Sequence, residues 1–167
     1  MLLVLVGPPG SGKTSVGRVL SARLGTTFRD TDHDVELAAG RSVSDIFVES
    51  GEPSFRALEK DAVTKALSEH DGVLALGGGA VLDATTRELL SGHRVVYLDV
   101  GLAEAMRRLE MNRSRPLLLG NVRTQWQALA DARRGFYEQV ADQVIVTDAL
   151  TPDQVAKQIA DYWQERA

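Results

Sequence analysis

Apolar positions along the chain fall into two alternating patterns. Short runs, many of them β-branched, read as buried strands at Leu2–Val6, weakly at Thr26–Phe28, and at Gly72–Leu76, Arg94–Leu98 and Gln143–Val146. Between them lie longer stretches whose apolar residues recur at helical spacing, as Val16, Val19, Leu20 and Leu24 do. Helices are predicted at Lys13–Arg23, Val43–His70 with a break near Glu52-Pro53, Ala84–Leu90, Leu102–Leu109, Arg123–Val140 and Pro152–Gln164. Ser42 or Ser44, Asp83 and Thr151-Pro152 stand where helix caps belong. Five strands separated by helices predict one parallel sheet covered on both faces.

The first strand runs directly into Gly7-Pro8-Pro9-Gly10-Ser11-Gly12-Lys13-Thr14, which satisfies G-x-x-x-x-G-K-[ST] at every required position. A strand before and a helix after the loop argue against a chance glycine-rich turn. Glycines allow successive backbone N–H groups to turn inward around a phosphate, and the helix N-terminus adds partial positive charge. Lys13 is placed to reach the outer phosphates and the Thr14 hydroxyl to ligate magnesium.

Ligands of open parallel sheets bind beyond the carboxyl ends of the strands, so residues just after each strand are the first candidates for chemistry. After the second strand come Asp30-Thr31-Asp32, expected as an extended turn with one carboxylate toward the Thr14 magnesium and the other toward an acceptor hydroxyl. A plain turn or helix cap is the competing reading. After the third strand, Gly77-Gly78-Gly79-Ala80 lets backbone approach a ligand closely, or is simply a tight turn. Leu82 prevents that run from completing G-x-G-x-x-G, so a second substrate is the better occupant. The stretch from Glu110 to Val122 lacks periodicity and carries Arg113 and Arg115, which suits a functional cover. Among Arg56, Arg107, Arg108, Arg115, Arg133 and Arg134, those converging on one mouth would grip planar anions. Spacing alone does not say which converge.

Composition narrows the classes. The 167 residues suit a single domain, and 25% charged against 44% hydrophobic residues is an ordinary globular balance. A net charge of -4 gives no global basic field, so nucleic acid is not an expected partner and an anionic substrate must be met by local arginines. With no cysteine, disulfides, thiolate metal sites and a cysteine nucleophile are excluded. His33, His70 and His93 have no metal-site spacing. The apolar runs are strand-sized and the first lacks the basic flank of a signal peptide, so a cytoplasmic protein with no membrane association is expected.

In order along nearly the whole chain, several motifs together resemble the shikimate kinase family. They are the phosphate loop, Asp30-Thr31-Asp32, Phe55-Arg56-x-x-Glu59, Gly77-Gly78-Gly79-Ala80, Asn112-x-x-Arg115-Pro116-Leu117-Leu118 and Arg133-x-x-x-Tyr137. The phosphate loop alone is shared by many ATPases; the ordered set is specific. The resemblance implies a three-layer P-loop fold of the nucleoside-monophosphate-kinase type, with a central five-stranded parallel sheet flanked by helices and a mobile lid. It implies a single domain over 1–167, with a substrate-binding segment at 33–67 and a lid loop at 110–122. The implied reaction is magnesium-dependent transfer of the ATP γ-phosphoryl to the 3-hydroxyl of shikimate, on the route to chorismate, by a monomer.

By the same resemblance Lys13, Asp32 and Arg115 are the catalytic set. Gly10, Ser11, Gly12, Lys13, Thr14, Ser15, Arg108, Arg115 and Pro152 would bind nucleotide, with Arg108 and Pro152 flanking adenine. Asp32, Arg56, Gly77, Gly78, Gly79 and Arg133 would hold shikimate, the two arginines on its carboxylate. Thr14, with Asp30 through water, would fix magnesium. The chain departs from the family at Lys13-Thr14-Ser15, where Lys-Ser-Thr is common, and at Gly135, where a proline usually stands. Arg134, adjacent to Arg133, is an alternative carboxylate ligand. Gluconate or adenylate kinases and a non-catalytic kinase-like binding module are the rival readings.

Overall fold

A computed structural model describes residues 2–111 and 121–167. The strands are β1 (Leu3–Val6), β2 (Thr27–Asp30), β3 (Gly72–Ala75), β4 (Arg94–Asp99) and β5 (Gln143–Val146). All pair in parallel, in the order β2-β3-β1-β4-β5. The central strand β1 thus separates β3, with Leu3 beside Val73, from β4, with Leu3 beside Arg94. Its carboxyl end marks the topological switch where such sheets form a crevice.

Side chains alternate across the sheet and give it two cores. On one face Leu3, Leu5, Val73, Val96 and Leu98 pack under α1 (Lys13–Arg23) and α7 (Pro152–Gln164) through Val16, Leu20, Val155 and Ile159. On the other, Val4, Val6, Leu74, Val95 and Tyr97 meet Val63 and Ala66 of α3 (Val43–Glu69), Leu90 of α4 (Ala84–Leu90) and Tyr137 of α6 (Val122–Val140). Two smaller clusters carry the elements at the carboxyl edge. Val35 of α2 (Thr31–Ala39) packs on Ile46 and Phe55, and Ala105 and Met106 of α5 (Leu102–Met111) pack on Trp126 and Ala130.

Polar caps set the helix starts. Ser42 accepts from the Asp45 N–H, Asp83 from Thr86, and Thr151 exchanges bonds with Gln154 in a capping box. The predicted break in α3 falls at Gly51, whose φ of 83° and ψ of 168° lie outside helical space, one turn ahead of Phe55 and Arg56. The expected extended turn at Asp30-Thr31-Asp32 is corrected. Asp30 ends β2 and caps α2, its carboxylate accepting from the Asp32 N–H at 2.9 Å, so Asp32 lies in a helical first turn. Residues 112–120, which hold Arg113, Arg115 and most of the expected cover loop, lie outside the described residues. Among the described residues no helix is long and apolar enough to cross a membrane.

Candidate active site

Two cavities open at the carboxyl edge of the sheet, and Asp32 lines both. The first, of about 450 Å³, is walled by Gly10 to Val16, Asp30, Arg107, Arg108, Thr147 and Pro152. Its floor is the phosphate loop. Gly10 and Gly12 take φ of 84° and 95°, a left-handed backbone open to glycine, and the turn places Lys13 at the head of α1. The Lys13 side chain is buried, its Nζ donating to the Gly7 and Pro8 carbonyls at 2.8 and 3.2 Å. The Ser11 hydroxyl is buried with no protein partner. A buried lysine, an unsatisfied hydroxyl and a helix N-terminus fit an anion.

Thr14 Oγ1 lies 3.4 Å from Asp30 Oδ2 at the inner end of this cavity. A hydroxyl and a carboxylate are hard oxygen donors of the kind magnesium takes beside phosphate oxygens, so the pair fits that ion. At the outer end Arg108 reaches the Gly10 carbonyl at 3.1 Å and Thr147 Oγ1 and O at 3.0 and 2.9 Å, clamping the loop to the end of β5. Glu104 bridges Arg107 and Arg108, and its bond to Arg107 draws its carboxyl down to about 2. Pro152 occupies the first turn of α7 on the same wall. Ser15 is exposed at the cavity rim.

The second cavity, of about 470 Å³, lies on the other side of Asp32, between the α3 kink, the glycine run and α6. It is lined by Arg56, Glu59, Gly77, Gly78, Gly79 and Arg133, with apolar walls from Phe47, Phe55 and Met106. The three glycines answer to space. A Cβ on Gly77 would fall 2.5 Å from Asp32 Oδ1 and 2.8 Å from Glu59 Oε2, one on Gly78 would press Pro9 and Arg133, and one on Gly79 would overlap the Arg56 guanidinium. Arg56 donates to Glu59 Oε1 at 2.8 Å and to Glu52 at 3.3 Å. Glu59 is only 3% exposed and its second oxygen has no hydrogen-bond partner. Burial pushes its carboxyl above the usual range, against the pull of Arg56. Burial and the neighbouring Arg56 lower the pKa of Arg133.

The structure separates the paired arginines that spacing left open. Arg133 faces the second cavity; Arg134, one helix step on, turns to Asp99 Oδ2 at 3.2 Å. Arg107 and Arg108 belong to the first cavity rather than the second. Arg115 lies outside the described residues. Four participants carried no role in the sequence reading. Glu59 and Tyr137 close the two arginine patterns, and that was their signal. Thr147 and Trp126 had none: the Trp126 indole donates to the Pro9 carbonyl at 2.8 Å across 117 positions of sequence.

A phosphate loop on a parallel sheet, with a separate anion-ready cavity sharing one carboxylate, defines a P-loop kinase of small molecules. The family model for shikimate kinase matches residues 9–164. A shikimate kinase of Streptomyces coelicolor is 56% identical over 160 residues, 96% of this chain and 94% of its own length. One from Streptomyces avermitilis is 56% identical over 159 residues, 95% of this chain and 93% of that one. Among solved structures, the Acinetobacter baumannii shikimate kinase in complex with shikimate superposes with a TM-score of 0.94 at 35% identity, covering 99% of this chain and 93% of that one. The chain belongs to the shikimate kinase family.

Proposed function

We propose that this chain transfers the γ-phosphoryl of ATP to the 3-hydroxyl of shikimate. The observation that carries the reading is the position of Asp32, on the wall between a phosphate-loop cavity and a cavity bearing Arg56 and Arg133. ATP enters the first, held by the N–H groups of Gly10, Ser11 and Gly12, by Lys13, and by Arg108 and Pro152 around the base. Thr14 and Asp30, the latter through water, would hold a magnesium ion, which would supply positive charge against the phosphates. Shikimate enters the second, its carboxylate across Arg56 and Arg133 as a planar anion between guanidinium forks. The glycine run Gly77–Gly79 brings backbone against the ring.

Asp32 then orients the attacking hydroxyl and stands ready to accept its proton. Phosphoryl transfer asks little covalent chemistry of the protein, so positioning and preorganised charge do most of the catalysis. Lys13 leaves the loop carbonyls for the outer phosphates, and Arg115 adds a second cation to the group in flight. Both cavities are lined by one chain, so a monomer suffices, and the cytoplasm is its expected place.

A gluconate or adenylate kinase has no need of Asp32, Arg56, three glycines and Arg133 together in the acceptor cavity. ADP release measured with MgATP and shikimate, beside gluconate, AMP and no acceptor, tests the reading. Turnover with shikimate alone is expected. Turnover with another acceptor, or nucleotide binding with no acceptor-dependent turnover, would replace it by another kinase or by a silent binding module.

A further inference from the structure

Tyr137 ends the Arg133-x-x-x-Tyr137 pattern, yet the roles assigned above give it no work. It is 1% exposed on α6, one turn beyond Arg133 and on the same helix face. Its hydroxyl donates to the Gly78 carbonyl at 2.5 Å, and the Arg133 guanidinium, whose Nη1 lies beside Gly78, acts electrostatically on the same oxygen. A phenol can donate one bond and accept others, so a single oxygen ties together two pieces of the acceptor cavity. The ring is fixed from behind by Tyr97, with centroids 5.0 Å apart and planes at 29°. It is the Tyr97 ring that supports Tyr137; its hydroxyl bonds Asp99 at 3.1 Å, a carboxylate that Arg134 also meets and that does not line the cavity. Burial pushes the Tyr137 phenol up to about 12, so it keeps its proton, and its donor role, across the working range of pH.

The Gly78 carbonyl belongs to the peptide that continues into Gly79. Because that unit is planar and trans, fixing the carbonyl fixes the Gly79 N–H to the opposite side. Glycine would otherwise leave the plane free to rotate, since three successive residues without a Cβ impose little restraint.

We infer that Tyr137 is a positioning residue for the acceptor. One hydroxyl sets the orientation of the Arg133 guanidinium and of the Gly78–Gly79 peptide plane, and so assembles the carboxylate-binding end of the cavity. The inference rests on the reading that Arg133 grips the shikimate carboxylate.

Tyr137→Phe removes one oxygen and keeps the ring on Tyr97. Loss of the bond strands the Gly78 carbonyl and frees Arg133, so the KM for shikimate should rise roughly tenfold. The KM for ATP and the affinity for MgADP should stay within about twofold. With a shikimate analogue whose carboxylate is reduced to an alcohol, Tyr137→Phe and the parent chain should have nearly equal KM. Tyr97→Phe, which deletes the neighbouring hydroxyl bonded away from the cavity, should leave the shikimate KM in place.

Four results would overturn the inference: an unchanged shikimate KM in Tyr137→Phe, a parallel loss of MgADP affinity or of folding, an equal rise in Tyr97→Phe, or an equal rise with the analogue. Arg133→Ala run alongside separates the levels. If it raises the shikimate KM while Tyr137→Phe does not, the tyrosine link alone fails. If Arg133→Ala itself changes nothing, the carboxylate reading fails and takes the link with it.

Discussion

Glu59 places one carboxylate oxygen on Arg56 and leaves the other in the acceptor cavity without a hydrogen bond, which is why burial raises its pKa from the ordinary 4.5. A carboxyl with a raised folded pKa holds more protons folded than unfolded, so stability falls as pH rises from about 4.5 through the folded value. Glu59→Gln removes that penalty. Its Tm relative to the parent should therefore climb as pH rises from about 4.5 through the raised folded value, in differential scanning fluorimetry. A difference flat with pH would contradict the raised pKa. The same substitution should raise the shikimate KM, because Arg56 loses its charged brace. Arg56→Ala should do so more strongly, by about 1.5–3 kcal/mol or roughly ten- to a hundredfold, with the KM for ATP unchanged. An unaltered shikimate KM would remove Arg56 from the site. At this scale sequence reading could name Arg56 and Arg133 but not the geometry around them. Arg133 and Arg134 differ by one helix step of about 100°, and only packing of α6 against the sheet decides which one meets the cavity.

The α3 helix turns at Gly51, and the turn carries Phe55 and Arg56 to the cavity wall. The backbone there, φ 83° and ψ 168°, is one that side-chain-bearing residues almost never adopt. A Cβ at Gly51 would meet nothing nearer than Pro53 Cδ at 3.8 Å, so Gly51→Ala carries backbone strain with little steric clash. The expected loss is about 1–3 kcal/mol in urea unfolding, or a Tm lower by about 2–4 °C for each kcal/mol. A higher shikimate KM with intact MgADP affinity should accompany it. Unchanged stability and KM would mean that the break is not what sets Arg56. The break itself was legible, because Glu52-Pro53 interrupts an otherwise periodic run and proline is tolerated only at a helix start. So were the caps at Ser42, Asp83 and Thr151. Helix α2 was not. Its opening Asp-Thr-Asp-His-Asp is rich in residues that favour turns, and it buries only Thr31 and Val35. What makes it helical is the Asp30 cap and the seat of Val35 against Ile46 and Phe55, contacts made by another element.

Alternation of apolar strands and amphipathic helices was enough to foresee a covered parallel sheet, whereas the order β2-β3-β1-β4-β5 had to come from structure, since each strand is compatible with several neighbours. That order is what brings the phosphate loop after β1 beside the glycine run after β3 and the Asp30 carboxylate at the end of β2. The proposed magnesium ligands, Thr14 and Asp30, therefore stand on two different elements, α1 and the end of β2, in contact at 3.4 Å. Nucleotide binding should then stabilise the whole chain, and in a magnesium-dependent way. At a hundredfold excess over its Kd, a ligand of the folded state adds about 2.7 kcal/mol. For a domain of this size that is a rise in Tm of roughly 5–11 °C. ATP with magnesium should give a shift of that order at such an excess, and ATP with EDTA a smaller one at equal ATP. Thr14→Val keeps the shape of the side chain and deletes its oxygen, so the two shifts should converge on the EDTA value. If Thr14→Val keeps the full difference, the ion is held elsewhere. If ATP shifts neither chain in either buffer, the first cavity is not the nucleotide site.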